Sequence, residues 1–204
     1  MDTLLKTCLI VCPLVFLAGF VDSVAGGGGI ISLPAYLMAG IPAHLAAGTN
    51  KVVNGCGTML ATVKYFRSGK VRLRPAVVAA VEPKREVIVS ALIGLFIGCY
   101  DGLVGPGTGT FMILCFTAFL SMDLLTASGC SKAANLASNV ASAVVWILHG
   151  SVFWALAAPA IVCNLLGAWF GSRYAIRGGS QKIRGMMFVV LGLLFAKLLY
   201  ELLT

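Results

Sequence analysis

Apolar runs long enough for membrane helices alternate along this chain with short interruptions that carry most of its charge. The first run ends in Gly19-Phe20-Val21-Asp22-Ser23-Val24-Ala25-Gly26-Gly27-Gly28-Gly29, an acid followed by four consecutive glycines in otherwise apolar sequence. Each glycine inside a helix costs about 1 kcal/mol relative to alanine, so the stretch predicts a broken helical element that needs bare backbone. The layout returns in Gly98-Cys99-Tyr100-Asp101-Gly102-Leu103-Val104-Gly105-Pro106-Gly107-Thr108-Gly109. Asp101 follows Asp22 by 79 positions, as Gly105 follows Gly26 and Gly107 follows Gly28. A second polar pattern also returns. Gly48-Thr49-Asn50-Lys51-Val52-Val53-Asn54 leads a helix that runs to Phe66, and Cys130-Ser131-Lys132-Ala133-Ala134-Asn135-Leu136-Ala137-Ser138-Asn139 leads one that runs to Leu148. Lys132 follows Lys51, Asn135 follows Asn54 and Gly150 follows Gly69 by 81 positions. The two copies thus agree at residues that a membrane span otherwise avoids.

The remaining elements follow from the same pattern. Met1 to Ala18 resembles a signal peptide, but cleavage near Ala18 or Ala25 would cut at or through a glycine element whose second copy is retained, so it reads as a first membrane element. Ile30 to Met38 is an apolar piece holding Pro34, and Thr110 to Leu120 is apolar too, closed by Ser121-Met122-Asp123. Pro75 to Val81 is apolar but far too short to span. Phe153 to Phe170 predicts a full-length helix, with Gly167 and Gly171 placed for close helix packing. Arg173, Arg177, Lys182 and Arg184 predict a basic loop before a last helix, Met186 to Leu203, where Lys197 and Glu201 are spaced for an ion pair. The expected division is a first transmembrane repeat at 1–86 and a second at 87–204, together one membrane domain.

Composition sharpens this to a class. Of 204 residues, 59% are hydrophobic and 11% charged, and the mean hydropathy is +0.98. A soluble domain carries about 25% charged residues, so the chain reads as a polytopic membrane protein, and the absence of apolar/polar alternation argues against a barrel. The net charge of +8 does not indicate nucleic acid, because the basic residues cluster between apolar runs as the positive-inside rule expects. The seven cysteines lie in or beside apolar runs without a C-x-x-C or a histidine partner, so they read as packing residues, with no metal site and no cofactor. His44 and His149 read as loop-side residues. No H-E-x-x-H, G-x-S-x-G or Ser/His spacing suggests an enzyme.

Charge also sets the symmetry. Arg67–Arg74 holds four basic residues, which marks a cytoplasmic loop, whereas the counterpart Leu148–Ala155 holds none. Equivalent loops of the two copies therefore lie on opposite sides, as inverted-topology repeats require. The fold class expected is an all-α polytopic membrane protein of two inverted-topology repeats, each opened by a glycine-broken helical element of spanning or re-entrant form. The second copy continues for 42 residues after Val162, but the first passes almost directly from the matching Val81 into the next copy. The first repeat is thus short of a helical hairpin. The predicted location is the cell's inner membrane, multi-pass, with the C-terminus outside.

These motifs resemble the TauE/SafE family of membrane transporters, the sulfite exporter family. The residues that carry the resemblance are Gly19–Gly29, G-T-N-K at Gly48–Lys51, R-S-G-K-V at Arg67–Val71, Tyr100–Gly109, Ser131–Asn139 and G-S-R at Gly171–Arg173. It covers nearly the whole chain, and the departure from it is the missing hairpin. The resemblance implies transport, as export or uptake with export favoured, of small sulfur-containing anions such as sulfite or organosulfonates by alternating access. Substrate and lipid bilayer are then the partners, and a homo-oligomer is compatible with the pattern. The residues agree with an anionic substrate. Broken helices expose N–H groups and helix N-termini that favour anions, here Gly27, Gly28, Gly107 and Thr108. Lys51 and Lys132 could neutralise a sulfonate, and Asn54, Asn135 and Asn139 could donate hydrogen bonds. Asp22 and Asp101 have the wrong sign for an anion and read as helix caps, as partners of the lysines, or as carriers of a coupling proton. The alternative is a passive anion channel or a non-transporting accessory subunit, because the missing hairpin removes wall.

Overall fold

The structure, a computed structural model, describes residues 2–71, 92–93, 95–98 and 107–203. The expectations placed on Asp101, on residues 72–86 and on the boundary at 86/87 lie outside the described residues. Six α-helical stretches order the rest: α1 (Asp2–Ala25), α2 (Gly29–Met38), α3 (Ala43–Arg67), α4 (Thr108–Leu120), α5 (Leu124–Leu148) and α6 (Trp154–Leu203). There is no strand among the described residues. Within α1, Leu4–Ala25 is long and apolar enough by itself to cross a bilayer, with a mean hydropathy of 2.3. At 10 and 13 residues, α2 and α4 rise only about 15–20 Å and fall short of a hydrocarbon core of about 30 Å. The chain is an all-α membrane protein.

The break after α1 has a local cause. Gly26 and Gly27 take φ of 78° and 86°, the left-handed region that glycine enters without a Cβ penalty. The chain reverses there and α2 starts three residues later. The basic segment at Arg173–Arg184 differs from the expected loop. It is helical apart from Gly179, whose φ of 64° and ψ of −162° break α6 into two arms. Arginine and lysine are good helix formers, so one glycine suffices to turn the chain and no loop is needed.

Packing centres on α1 against α6. Val11, Val15, Ala18, Val21 and Val24 bury one face of α1 at helical spacing. Gly167 lies against the Phe16 carbonyl and Gly171 against the Phe20 carbonyl and Ser23, as the G-x-x-x-G spacing predicts. Two apolar clusters result. One gathers Val11, Val15, Val53, Leu156 and Ala160, and the other gathers Val24, Tyr65, Ile113, Ala175 and Ile183. Between them along α1, α3 and α6 lies a belt of small and polar residues: Gly19, Gly57, Thr58 and Asn164.

The α3–α5 pair explains two glycines. Gly48, near the start of α3, packs on the carbonyl of Ser151 just past α5, and Gly129, near the start of α5, packs on the carbonyl of Lys70 just past α3. The helices are therefore antiparallel. Both residues of the second contact sit 81 positions from their counterparts in the first. Midway, Asn139 Nδ2 donates to Thr58 Oγ1 at 3.4 Å, and these residues too are 81 apart. A methyl at Gly48 or Gly129 would collide with main chain, which cannot yield as a flexible side-chain end can. Gly48→Ala and Gly129→Ala should each cost about 1–3 kcal/mol, the usual range for overpacking, whereas Gly55→Ala, whose methyl meets only Asn139 Cβ at 3.8 Å, should be near neutral. Thermal unfolding of the purified variants in detergent checks this, and equal midpoints would refute the packing argument.

Candidate functional site

The two glycine elements meet backbone to backbone. Gly26 packs on Gly109, and Thr110 Oγ1 donates to the Ala25 carbonyl at 2.9 Å. The bare backbone foreseen from four glycines is thus used first by the protein itself: Gly28 sits on the Ala18 carbonyl and Asp22 Cβ, and Gly27 on Val190 and Thr110. Gly107, with φ of 85°, precedes α4, and Thr108 is buried at its first turn.

Beside this junction lies Lys132, the one Lys or Arg of α5, with no exposed surface. Its Nζ stands 2.9 Å from Asp22 Oδ2. Asp22 Oδ1 in turn accepts from the Gly28 N–H at 3.4 Å, so one carboxylate both pairs with the lysine and ties down the break. Ser131 Oγ donates to the Gly109 carbonyl at 3.0 Å. Asn135, one turn beyond, is also buried. Lys132, Asn135 and Asn139 fall at i, i+3 and i+7 on one face of α5, so this helix presents a cation and two amides in line.

A second polar chain crosses the belt. Asn164 Nδ2 of α6 donates to Asn54 Oδ1 at 3.2 Å, and Asn54 Nδ2 donates to Asn50 Oδ1 at 3.1 Å. A third fixes α1 to α3 and α5. Tyr65 Oη donates to the Ser23 carbonyl at 3.0 Å, and Ser128 Oγ donates to the Val24 carbonyl at 3.0 Å. Asn164, Tyr65 and Ser128 are not among the residues that the sequence singles out, and Asn50 is known from it only as part of the Gly48–Lys51 motif. Asn164 could have been found: it is a lone amide inside an apolar helix, which is costly unless satisfied.

Lys51 and Lys132 are not brought together. Each lies seven residues before Thr58 or Asn139, where the antiparallel helices cross, so the lysines stand on opposite sides, each about 10 Å along its helix at 1.5 Å per residue. Lys51 is half-buried. Any anion held by one is out of reach of the other. His44 and His149 are exposed at helix ends, as expected of loop-side residues.

The buried pair yields a stability test. Removing one member leaves the other charge buried and unpaired, a loss of about 3–5 kcal/mol for such pairs. Lys132→Met and Asp22→Asn should each lower the unfolding midpoint strongly. The double variant Asp22→Asn/Lys132→Met should recover much of the loss, because no lone charge remains. A double variant as unstable as the sum of the singles would show that the pair is not coupled.

The chain is similar to known membrane proteins. The family profile described as "Sulfite exporter TauE/SafE" matches residues 11–82 and 79–198. A "Probable membrane transporter protein ORF9" of Sinorhizobium sp is 32% identical over 223 aligned positions, covering 86% of this chain and 85% of that protein. A "Probable membrane transporter protein" of Haemophilus influenzae is 29% identical (91% and 92% covered), and YfcA of Escherichia coli K12, also named a probable membrane transporter protein, is 30% identical (91% and 87% covered). These alignments run longer than the 204 residues of the chain itself, so the relatives carry residues that it lacks. No solved structure matches. The chain belongs to the TauE/SafE family of membrane transporters.

Proposed function

We propose that this transporter exports small sulfur-containing anions, sulfite or organosulfonates, across the inner membrane by alternating access between two inverted repeats, and that Lys132 is its anion-binding cation. The observation that carries the reading is the fully buried Lys132, held by Asp22 at the point where the two glycine elements touch. A buried ammonium without a counter-ion is strongly disfavoured. It must exchange one anion for another rather than lose its partner. Protonation or displacement of Asp22 would leave Lys132 open to a sulfonate or sulfite oxygen. The buried Asn135 amide lies one turn away to donate a second bond. Asp22 is then the coupling group, and Gly27 and Gly28 move with it through the Gly28 N–H. The reciprocal α3–α5 contacts at a spacing of 81 support inverted repeats, because a local two-fold axis across an antiparallel pair lies in the membrane plane. The basic end of α3 supports a cytoplasmic location for Arg67, and with it a C-terminus outside.

Sulfite and sulfoacetate binding and flux, measured on protein reconstituted in proteoliposomes with and without an imposed proton gradient, test this. Wild type should show saturable, gradient-dependent flux. The charge-neutral double variant Asp22→Asn/Lys132→Met should fold and lose binding altogether. Asn135→Ala should weaken binding about tenfold, the worth of one hydrogen bond to a charged group. Normal binding by the double variant would overturn the assignment of Lys132, and non-saturable conductance would replace the transporter reading with a channel.

A further inference from the structure

A second cationic site lies at the end of the molecule where α3 stops and α6 approaches its break. A pocket of about 450 Å³ opens there, lined by Lys64, Arg67 and Ser68 of α3 and by Trp169, Arg173, Ile176 and Arg177 of α6. A neighbouring pocket of about 370 Å³ shares Arg173 and Arg177 and adds Tyr174 and Lys182. Lys64 Nζ donates to the Trp169 carbonyl at 2.7 Å and stands 4.5 Å from the centre of its ring, with the Arg173 guanidinium 5.4 Å from the same ring. Lys182 covers Tyr174 in the same way at 5.2 Å. No carboxylate among the described residues pairs with any of these cations; the described ion pair is that of Lys132 and Asp22. The cluster therefore holds several positive charges at close quarters, with no carboxylate to offset them among the described residues, and favours an anion.

The surroundings say which anion. Gly57 meets Asn164 and Lys64 meets Trp169, so α3 and the first arm of α6 run side by side in the same direction into this pocket. Their outer faces above it are apolar and exposed: Met59, Val63 and Phe66 on α3, with Val162, Leu166 and Phe170 on α6. An apolar face that ends in a ring of arginine, lysine and tryptophan is the profile of the interface between acyl chains and headgroups. A free phosphate would use the cations and leave the apolar face unexplained.

We propose that this surface binds an anionic phospholipid, with the headgroup phosphate held by Arg67, Arg173 and Arg177 and an acyl chain laid along the exposed α3/α6 face. Lys64 is committed to Trp169 and fixes the two helices at the rim. Arginine suits the role because its planar fork meets a phosphate with two parallel bonds. The site is separate from Lys132 and does not rest on the transport reading. A lipid bound there would clamp α3 to α6 beside the Gly179 break.

The test is the thermal unfolding of delipidated wild-type protein in detergent, with phosphatidylglycerol, phosphatidylcholine of the same acyl chains, or inorganic phosphate added. Phosphatidylglycerol should raise the midpoint by several degrees over phosphatidylcholine, and inorganic phosphate should not. Arg173→Gln/Arg177→Gln should abolish the difference, while Arg173→Lys/Arg177→Lys keeps part of it. Arg67→Gln, at an exposed position, should weaken it as well and serves if the double variant does not fold. Equal midpoints with the two lipids in wild type, an equal effect of inorganic phosphate, or a lipid difference unchanged in a folded glutamine variant would each overturn the proposal.

Discussion

Burying the Lys132 ammonium is the constraint around which the centre of this protein is arranged. A lysine with no exposed surface requires a carboxylate within contact, and the carboxylate is Asp22, 110 residues earlier and on another helix. Asp22 reaches Lys132 from the last full turn of α1. That position fixes where α1 must stop, and the glycines at 26 and 27 let it stop there. The same requirement brings α4 in, since Gly109 must lie against Gly26 for α5 to present Lys132 at the junction. One ion pair therefore couples the end of α1, the restart at α2, the beginning of α4 and the polar face of α5.

Small residues make that arrangement affordable in a medium without a strong hydrophobic drive between helices. Within a bilayer, association depends on close packing and interhelical hydrogen bonds. Gly167 and Gly171 bring α6 onto α1, Gly48 and Gly129 bring α3 and α5 onto each other's ends, and Gly57 admits Asn164. Hydrogen bonds from Tyr65, Ser128, Thr110 and Ser131 then land on main-chain carbonyls around the glycine breaks. The carbonyls of Ser23, Val24 and Ala25 lie in the last turn of α1, where carbonyls lose their helical partners, so Tyr65, Ser128 and Thr110 satisfy groups that this break exposes.

The polar belt and the basic rim divide the charge of the molecule between two kinds of task. In the interior, polar groups are compensated within the chain: the charge of Lys132 by Asp22, and the neutral Asn164–Asn54–Asn50 series by its own hydrogen bonds. At the rim, Arg67, Arg173 and Arg177 have no described carboxylate partner, and Arg173 stands against the Trp169 ring. A site that must exchange its anion benefits from an internal substitute, because neither state leaves a bare charge. A site that holds a resident anion does not need one.

Much of this was legible in the amino-acid order. The membrane class follows from apolar content, because too little polar surface exists to cover a soluble globule. The two glycine elements, the matched Lys/Asn helices and the G-x-x-x-G seam were all visible as residues that are costly in a span and so must have a use. The identity of those uses was not legible. Nothing in the spacing shows that Asp22 pairs with Lys132 rather than Lys51, since both lysines are equivalent by position and only the packing of α1 against α5 selects one. Nor could spacing show that Lys51 and Lys132 stand on opposite sides of a helix crossing, because two positions 81 apart acquire a separation only when their helices run antiparallel. The basic segment around Gly179 read as a loop by its charge, yet it is helical on either side, because charge reports exposure and not backbone conformation. Sequence thus determined which residues need an explanation, since cost in hydrocarbon is a property of each residue alone. Tertiary structure decided which groups explain one another, since a partner is chosen by proximity, and proximity belongs to the fold.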